Sequence, residues 1–222
     1  MIVGIIIAMS EELKPYEKHI KSIDIHYGKQ FHKGKIGENE IVICLSGVGK
    51  VNAAFATAVM VDKYKPSLII NTGVSGGLGQ KKPMDIVVAD KVAQHDVDTS
   101  PLGDPKGFVS GVDRIYFETS KTYTQKIYKY LENASLGVMV CGDQFIADKK
   151  KASEIVKTFG AIACDMESGA IAQVAHMTDT ELVLIRGIAD SADDKAPVDF
   201  KKLVSEVSLK TYNAVKKVIE RL

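Results

Sequence analysis

Seven short apolar runs, separated by longer amphipathic segments, constrain the fold of this chain more strongly than any other feature of its sequence. Continuous apolar runs of this length are typical of strands that are buried on both faces. They lie at residues 2–8, 40–46, 67–73, 85–92, 136–142, 161–165 and 181–190. Because helical segments stand between several of them, the pattern predicts an α/β protein with a largely parallel sheet covered by helices on both sides.

Three segments carry the predicted helices. Residues 48–65 and 120–134 lie between apolar runs, and residues 200–222 end the chain. The C-terminal segment has an apolar face and a charged face, which is typical of a surface helix packing on a sheet. The apolar face consists of Leu203, Val207, Val215, Val218 and Leu222.

Length and charge limit the class of protein. A chain of 222 residues fits one large domain, residues 1–222. Its formal net charge of +1, without a basic stripe, argues against a general nucleic-acid binder. The apolar residues 1–9 form too short a run for a membrane span and lack the basic flank of a secretory signal. We therefore expect a protein that binds neither nucleic acid nor membrane.

The three cysteines, Cys44, Cys141 and Cys164, lie far apart in apolar surroundings. None has a companion cysteine or histidine at zinc spacing. We expect reduced core residues in a cytoplasmic protein.

Unusual residues follow five of the predicted strands. In open α/β sheets, ligands bind at the carboxyl ends of the strands. Gly, carboxylate and aromatic residues collect there, in Glu11 and Glu12 and in residues 71–79, 142–146, 165–168 and 186–194. The sequence therefore predicts a binding pocket at this edge of the sheet.

Glu167 stands at the start of an apolar helical segment. It precedes Ile171 by four positions and Val174 by seven, so helical periodicity places it on the inward face. A buried carboxylate needs a partner, which favours a ligand. Alternatively, Glu167 is a first-turn acid stabilised by the helix dipole. The segment alone leaves both interpretations open, and we interpret Asp165 as structural or as a residue near a subunit contact.

Two short motifs resemble known binding sites but lack residues that those sites require. Residues 44–51 fail the phosphate-loop pattern, because Cys44 replaces its first Gly and Val51 replaces its Ser or Thr. Residues 95–98 (HDVD) lack a third metal ligand, so a structural hydrogen-bonding role is favoured. The aperiodic segment 94–114 is long for a loop, which predicts a functional or interfacial role.

Eight motifs in register resemble the 5′-methylthioadenosine/S-adenosylhomocysteine nucleosidases, within the larger family of nucleoside phosphorylases and nucleosidases. They lie at residues 4–12, 46–54, 71–78, 85–90, 95–98, 142–146, 165–168 and 186–193. The resemblance implies a single three-layer α/β domain with a central mixed, partly barrel-like sheet flanked by helices. It also implies a homodimer that cleaves the N-glycosidic bond of adenine nucleosides with water, and it requires no cofactor and no metal.

The same resemblance implies roles for three carboxylates. Glu12 would be the general base that activates water, Asp190 the acid that protonates adenine at N7, and Glu167 the group that binds the ribose hydroxyls. Such a division suits an oxocarbenium-like transition state. An Asp is a poor acid at neutral pH, so we expect burial and the neighbours Asp193 and Asp194 to raise the pKa of Asp190.

The resemblance implies further contacts with the substrate. Met166 would pack on the sugar, and Phe145 with the backbone of Ile146 would hold the base. The pocket would also be lined by Val48, Val74 and Gly76, and Phe200 would help to close over it. Leu102 stands where many members carry an aromatic residue that caps the 5′ substituent across the dimer interface.

The nucleophile is expected to be water. Phosphorylases of the family hold phosphate with an arginine in the first Gly-rich loop, which this chain lacks; its arginines are Arg114, Arg186 and Arg221. Glu12 occupies that neighbourhood and would repel phosphate. Ala189, where many members have Ser, and Leu102 leave the 5′ preference open between methylthioadenosine, S-adenosylhomocysteine, 5′-deoxyadenosine and futalosine. The alternatives are a futalosine hydrolase, a purine nucleoside phosphorylase and a non-catalytic nucleoside-binding protein.

Overall fold

The computed structural model describes all of residues 1–222 and contains ten strands and six α-helices. The strands are β1 (Ile2–Ile7), β2 (Ile20–His26), β3 (Lys29–Ile36), β4 (Asn39–Leu45), β5 (Leu68–Gly77), β6 (Ile86–Gln94), β7 (Tyr116–Glu118), β8 (Ser135–Cys141), β9 (Ala161–Asp165) and β10 (Leu182–Asp190). The α-helices are α1 (Ser10–Leu13), α2 (Lys50–Tyr64), α3 (Lys121–Tyr130), α4 (Lys149–Phe159), α5 (Ser168–Met177) and α6 (Ala196–Ile219). Short 3₁₀ helices occupy Lys14–His19 and Ser100–Leu102.

All ten strands form one mixed sheet, part of which closes on itself. Strand β1 lies between β4 and β5 and is parallel to both. From β5 the sheet continues through β10, β6, β8 and β9, and β9 then pairs with β5 again. These five strands form the barrel-like part of the sheet. The edge strands β3 and β2 extend the opposite side of β4.

The seven predicted strands are confirmed as β1, β4, β5, β6, β8, β9 and β10. The mixed, partly barrel-like sheet is also confirmed, whereas apolar periodicity alone indicated a largely parallel one. The hairpin of β2 and β3 was not predicted because it lies at the sheet edge with much of β2 exposed. Helix α4 was also missed, because its first turn is a run of three lysines, residues 149–151.

Helices cover the sheet on both faces. Helices α2 and α5 pack against a core that includes Met60 and Ile171, while α3 and α6 pack on the other side around Ile127 and Tyr212. Helix α6 begins at Ala196, four residues before the predicted start. Its apolar face is confirmed: Val207, Val215 and Val218 are fully buried, and Leu203 and Leu222 are partly buried.

The three cysteines are buried and free of disulfides. No helix is both long enough and apolar enough to cross a membrane.

Candidate active site

A cavity of about 270 Å³ opens at the carboxyl ends of β1, β5, β9 and β10. Ten of the eleven residues that sequence analysis assigned to the site line it: Glu12, Val48, Val74, Gly76, Phe145, Ile146, Met166, Glu167, Asp190 and Phe200. The remaining residue, Leu102, is 84% exposed and does not line this cavity. One chain therefore forms a pocket at the predicted edge of the sheet, and every assigned residue except Leu102 lines it.

Glu12 is held in place by backbone amides. It lies in the short helix α1, directly after β1, and is 3% exposed. Its Oε2 accepts hydrogen bonds from the N–H groups of Ala8 (2.8 Å) and Met9 (3.0 Å), and its Oε1 accepts one from Val74 N–H (2.8 Å). A carboxylate has about four acceptor positions, so one remains for a water molecule. Burial raises the pKa of Glu12, although Arg186 and the amides act against the rise.

Gly73 is required for this close approach. It has φ +140°, and a Cβ at this position would lie 2.6 Å from Cδ of Glu12 and 2.7 Å from Nη1 of Arg186. Both groups are buried and cannot move aside.

We therefore expect Gly73→Ala to destabilise the protein by roughly 2–4 kcal/mol and to displace Glu12. Chemical denaturation measures the loss of stability. Gly79→Ala is the matched control, since Gly79 also has positive φ (+66°) but has open space around its Cα. Equal stability of the two variants would contradict the steric argument.

Glu167 faces the interior as predicted, but it lies outside the helix. Helix α5 begins at Ser168, and Glu167 is its N-cap residue, with φ −128° and 5% exposure. The predicted inward orientation of Glu167 is therefore correct, although the predicted helix boundary is wrong. The carboxylate has protein partners: Oε1 accepts from Gly49 N–H (3.1 Å), and Oε2 lies 3.5 Å from Nη2 of Arg186.

Arg186 adjoins the cavity through its carboxylate partners, although it was not assigned to the site from the sequence. It lies in β10, is 1% exposed, and its Nη2 forms a 2.5 Å ion pair with Oδ2 of Asp165. The same nitrogen donates to Oδ1 of Asn71 (2.9 Å). The signal was an arginine inside an otherwise apolar strand, because a buried cation requires anionic partners.

Asp165 accordingly has a more specific place than the structural role predicted for it. It lines the cavity and anchors Arg186 beneath Glu167, and it also accepts a hydrogen bond from the Ser168 hydroxyl (2.6 Å). Burial raises the pKa of Glu167 to about 7; Arg186 opposes this rise and Asp165 adds to it.

Asp190 ends β10 on the opposite side of the cavity. It is 2% exposed, and its Oδ1 accepts a hydrogen bond from Ala192 N–H (2.9 Å). Burial raises the pKa of Asp190 to about 6, and the negative charges of Asp193 and Asp199 add to the rise. The expected upward shift is therefore present, with Asp199 rather than Asp194 as the second acidic neighbour.

Aromatic and aliphatic side chains form the wall between the carboxylates. The rings of Phe145 and Phe200 meet edge to face, with centroids 5.6 Å apart. Phe145 is 47% exposed, so it is not a core residue. Ser75 also lines the cavity, and its buried hydroxyl has no protein partner. A largely apolar cavity lined by a free hydroxyl and by several carboxylates suits a flat polar ring attached to a hydroxylated group.

The two rejected motifs have other partners in the structure. Gly49 N–H donates to a carboxylate, and the Lys50 ammonium pairs with Asp96 of the HDVD segment, so neither group is free to hold a nucleotide phosphate. The chain contains no cluster of three or more His, Cys, Asp or Glu residues arranged to hold a metal ion.

This fold is shared with a known family. The chain belongs to the phosphorylase superfamily, whose sequence pattern matches residues 2–220. A 5′-methylthioadenosine/S-adenosylhomocysteine nucleosidase of an Exiguobacterium species is 36% identical over 232 residues, covering 100% of this chain and 99% of the relative. The resemblance identified from the eight motifs is thereby confirmed.

Solved structures agree. The Streptococcus pneumoniae 5′-methylthioadenosine/S-adenosylhomocysteine nucleosidase with a transition-state inhibitor, MT-ImmA, matches with a TM-score of 0.94 at 32% identity over 99% of each chain. The native futalosine hydrolase of Helicobacter pylori matches with a TM-score of 0.96 at 28% identity, over 100% of this chain and 98% of that one.

Proposed function

We propose that this protein hydrolyses the N-glycosidic bond of 5′-methylthioadenosine and S-adenosylhomocysteine, releasing adenine and the 5′-substituted ribose. The observation that carries the proposal is the placement of Glu12, Glu167 and Asp190 around one apolar cavity, each of them buried and with a raised pKa. Binding alone would not require three buried carboxylates, since each costs free energy to desolvate. Relatives named as nucleosidases of this kind are 32% to 36% identical over the full chain.

Each carboxylate has a separate task in this reaction. Asp190 protonates adenine at N7, and its pKa of about 6 leaves part of the population protonated near neutral pH. As the bond breaks, positive charge develops on the ribose, and the negative charge of Glu167 beside the ribose hydroxyls stabilises it. Glu12 takes a proton from the attacking water at its free acceptor position.

Water rather than phosphate is the proposed nucleophile. Arg186 is the arginine nearest the site, but its charge is already paired with Asp165 and Glu167, and it does not line the cavity. A phosphate dianion entering here would meet uncompensated carboxylates.

Adenine release from methylthioadenosine, measured with and without phosphate, tests the proposal. Equal rates in both buffers are expected. Strict dependence on phosphate would show a phosphorylase instead. Tight nucleoside binding without any release would support the non-catalytic binding protein.

Futalosine hydrolysis is a second candidate, because the Helicobacter pylori futalosine hydrolase matches the fold of this chain as well as nucleosidase structures do, with a TM-score of 0.96. A panel of methylthioadenosine, S-adenosylhomocysteine, 5′-deoxyadenosine and futalosine separates the candidates by kcat/KM. A preference for futalosine of tenfold or more would select the second.

We further propose a homodimer in the cytoplasm in which the partner subunit's Leu102 caps the 5′ substituent. The proposal is supported by exposed apolar side chains on and near α2: Val51 is 82% exposed, and Phe55 packs against Tyr27 with ring centroids 6.0 Å apart. Clusters of this kind mark interfaces more often than free surfaces.

We expect Val51→Asp to convert the dimer to a monomer of 24.1 kDa in light scattering and to raise KM for methylthioadenosine about tenfold. Leu209→Asp is the control, because Leu209 is 51% exposed on the distant helix α6. A monomeric wild-type protein with full activity would refute the shared site.

A further inference from the structure

Lys50 and Asp96 form a partly buried ion pair that none of the proposed chemical steps uses. The ammonium Nζ lies 2.7 Å from Oδ1 of Asp96, and the side chains are only 19% and 14% exposed. Lys50 Nζ also donates to Oε1 of Gln94 (3.2 Å). Ion pairs on open surfaces contribute little to stability. This pair is sheltered from solvent, which makes it a candidate for a functional role.

Asp143 closes these residues into a ring of hydrogen bonds. Its backbone N–H donates to Oδ2 of Asp96 (2.9 Å), and its own Oδ1 accepts from the backbone N–H of Lys50 (2.7 Å). Lys50 is the first residue of α2, which follows β4, and Asp96 and Asp143 lie in the loops after β6 and β8. Burial would raise the pKa of Asp96, but the hydrogen bonds from Lys50 and Asp143 outweigh it and hold that pKa below its ordinary value. The carboxylate therefore stays charged at neutral pH and the ring stays intact.

The ring adjoins the site on two sides. Gly49, directly before Lys50, donates its N–H to Oε1 of Glu167 (3.1 Å). Its φ of +97° favours glycine, and a Cβ at this position would lie 3.1 Å from Oδ1 of Asp143, so a side chain here would disturb both the backbone and the ring. On the other side, Asp143 precedes residues 144–146, which line the cavity.

We propose that the Lys50–Asp96–Asp143 ring is a positioning device for the proposed reaction, which fixes Gly49 N–H on the carboxylate of Glu167 and thereby aims Glu167 at the ribose. The inference rests on the proposed function. Lys50, Asp96 and Asp143 are positioning residues, since none of their side chains lines the cavity. A substitution far from the reacting atoms that displaces a binding group by about 1 Å can lower the rate about 100-fold.

A double-mutant cycle between Lys50→Met and Glu167→Gln tests the proposal by kcat/KM for adenine release. Lys50→Met alone is expected to lower kcat/KM by about 10–100-fold. In the Glu167→Gln background the same change should cost less than about threefold, because the group that the ring positions is already altered. Lys50→Arg keeps the cation and should recover part of the loss. Lys33→Met is the control, since Lys33 pairs with Asp24 at 2.9 Å on the surface.

Two results would overturn the proposal. Additive losses in the cycle would show that the ring acts independently of Glu167. Circular dichroism measures the folded fraction of Lys50→Met. If the loss of kcat/KM disappears once activity is corrected for that fraction, the ring only stabilises the fold. Failure of the proposed function is distinguishable, because the wild-type protein would then release no adenine from the tested nucleosides.

Discussion

Replacement of Glu12 by Gln lowers kcat for adenine release by about 10²–10⁴-fold, because an amide cannot take the proton of the attacking water. The shape of the side chain is retained, and the amide oxygen can still accept from both Ala8 and Met9. The amide nitrogen then faces Val74 N–H, where one hydrogen bond is lost. That loss costs about 1–3 kcal/mol of stability, so the assay belongs well below the melting temperature.

Glu11→Gln is the matched control for this variant. Glu11 lies in the same turn of α1 but is exposed and does not line the cavity, so its substitution leaves kcat unchanged. A folded Glu12→Gln variant that retains more than a tenth of the wild-type kcat would remove Glu12 from the role of general base. A rise in KM with unchanged kcat would instead assign it to substrate binding.

Much of the fold follows from local pattern. Apolar runs such as residues 67–73 predict buried strands whatever their partners, because their side chains must leave water on both faces. The hairpin of β2 and β3 lacks this signal, since β2 has no fully buried residue and needs few apolar side chains. Which strands pair is not local either, so a partly barrel-like sheet was expected only from the resemblance, and its closure by β9 on β5 is seen only in the structure.

The position of the cavity was predictable from the unusual residues at the strand ends, whereas the roles proposed for them came from the resemblance. Glu12, Glu167 and Asp190 are carboxylates at three such ends, and the fold brings them to one cavity. The pairing of Arg186 with Asp165 was not predictable from position. Strands β9 and β10 both pair with β5, and only that arrangement places the two side chains together.

The buried arginine also refines the argument about phosphate. The sequence contains an arginine close to the site, so the absence of a cation is not what disfavours phosphate. Arg186 is already paired with two carboxylates and lies beneath the cavity wall, and releasing it would leave Asp165 and Glu167 buried without a counter-ion. A break of this kind typically costs about 3–5 kcal/mol.

Asp190→Asn separates catalysis from stability. The amide oxygen can still accept from Ala192 N–H, so the turn after β10 is kept. The amide cannot donate a proton to N7, and we expect kcat to fall by about 10²–10⁴-fold. In the wild-type protein, kcat/KM should decline as pH rises above about 6, where Asp190 loses its proton. The variant should lack this alkaline decline.

Asp190→Asn should lower activity but raise the free energy of unfolding. The folded-state pKa of Asp190, about 6, lies above the ordinary value of 3.8, so the folded protein binds the proton more tightly than the unfolded chain. Its contribution to the free energy of unfolding therefore falls as pH rises between these two values and stays low above them. At pH 8, Asp190→Asn should raise the free energy of unfolding by on the order of 2 kcal/mol. Near pH 3, where Asp190 is protonated in both states, the gain should vanish.

Asp194→Asn distinguishes this effect from a general loss of negative charge. Asp194 is exposed four residues further along the same turn, so its substitution changes net charge equally without releasing a buried carboxylate. Urea denaturation at both pH values measures all three proteins. A gain at pH 8 in Asp190→Asn but not in Asp194→Asn, together with lost turnover, would show that the fold tolerates a destabilising carboxylate because the reaction uses it. Equal gains in both variants would make the stability effect one of surface charge, and full turnover by Asp190→Asn would remove Asp190 from the role of acid.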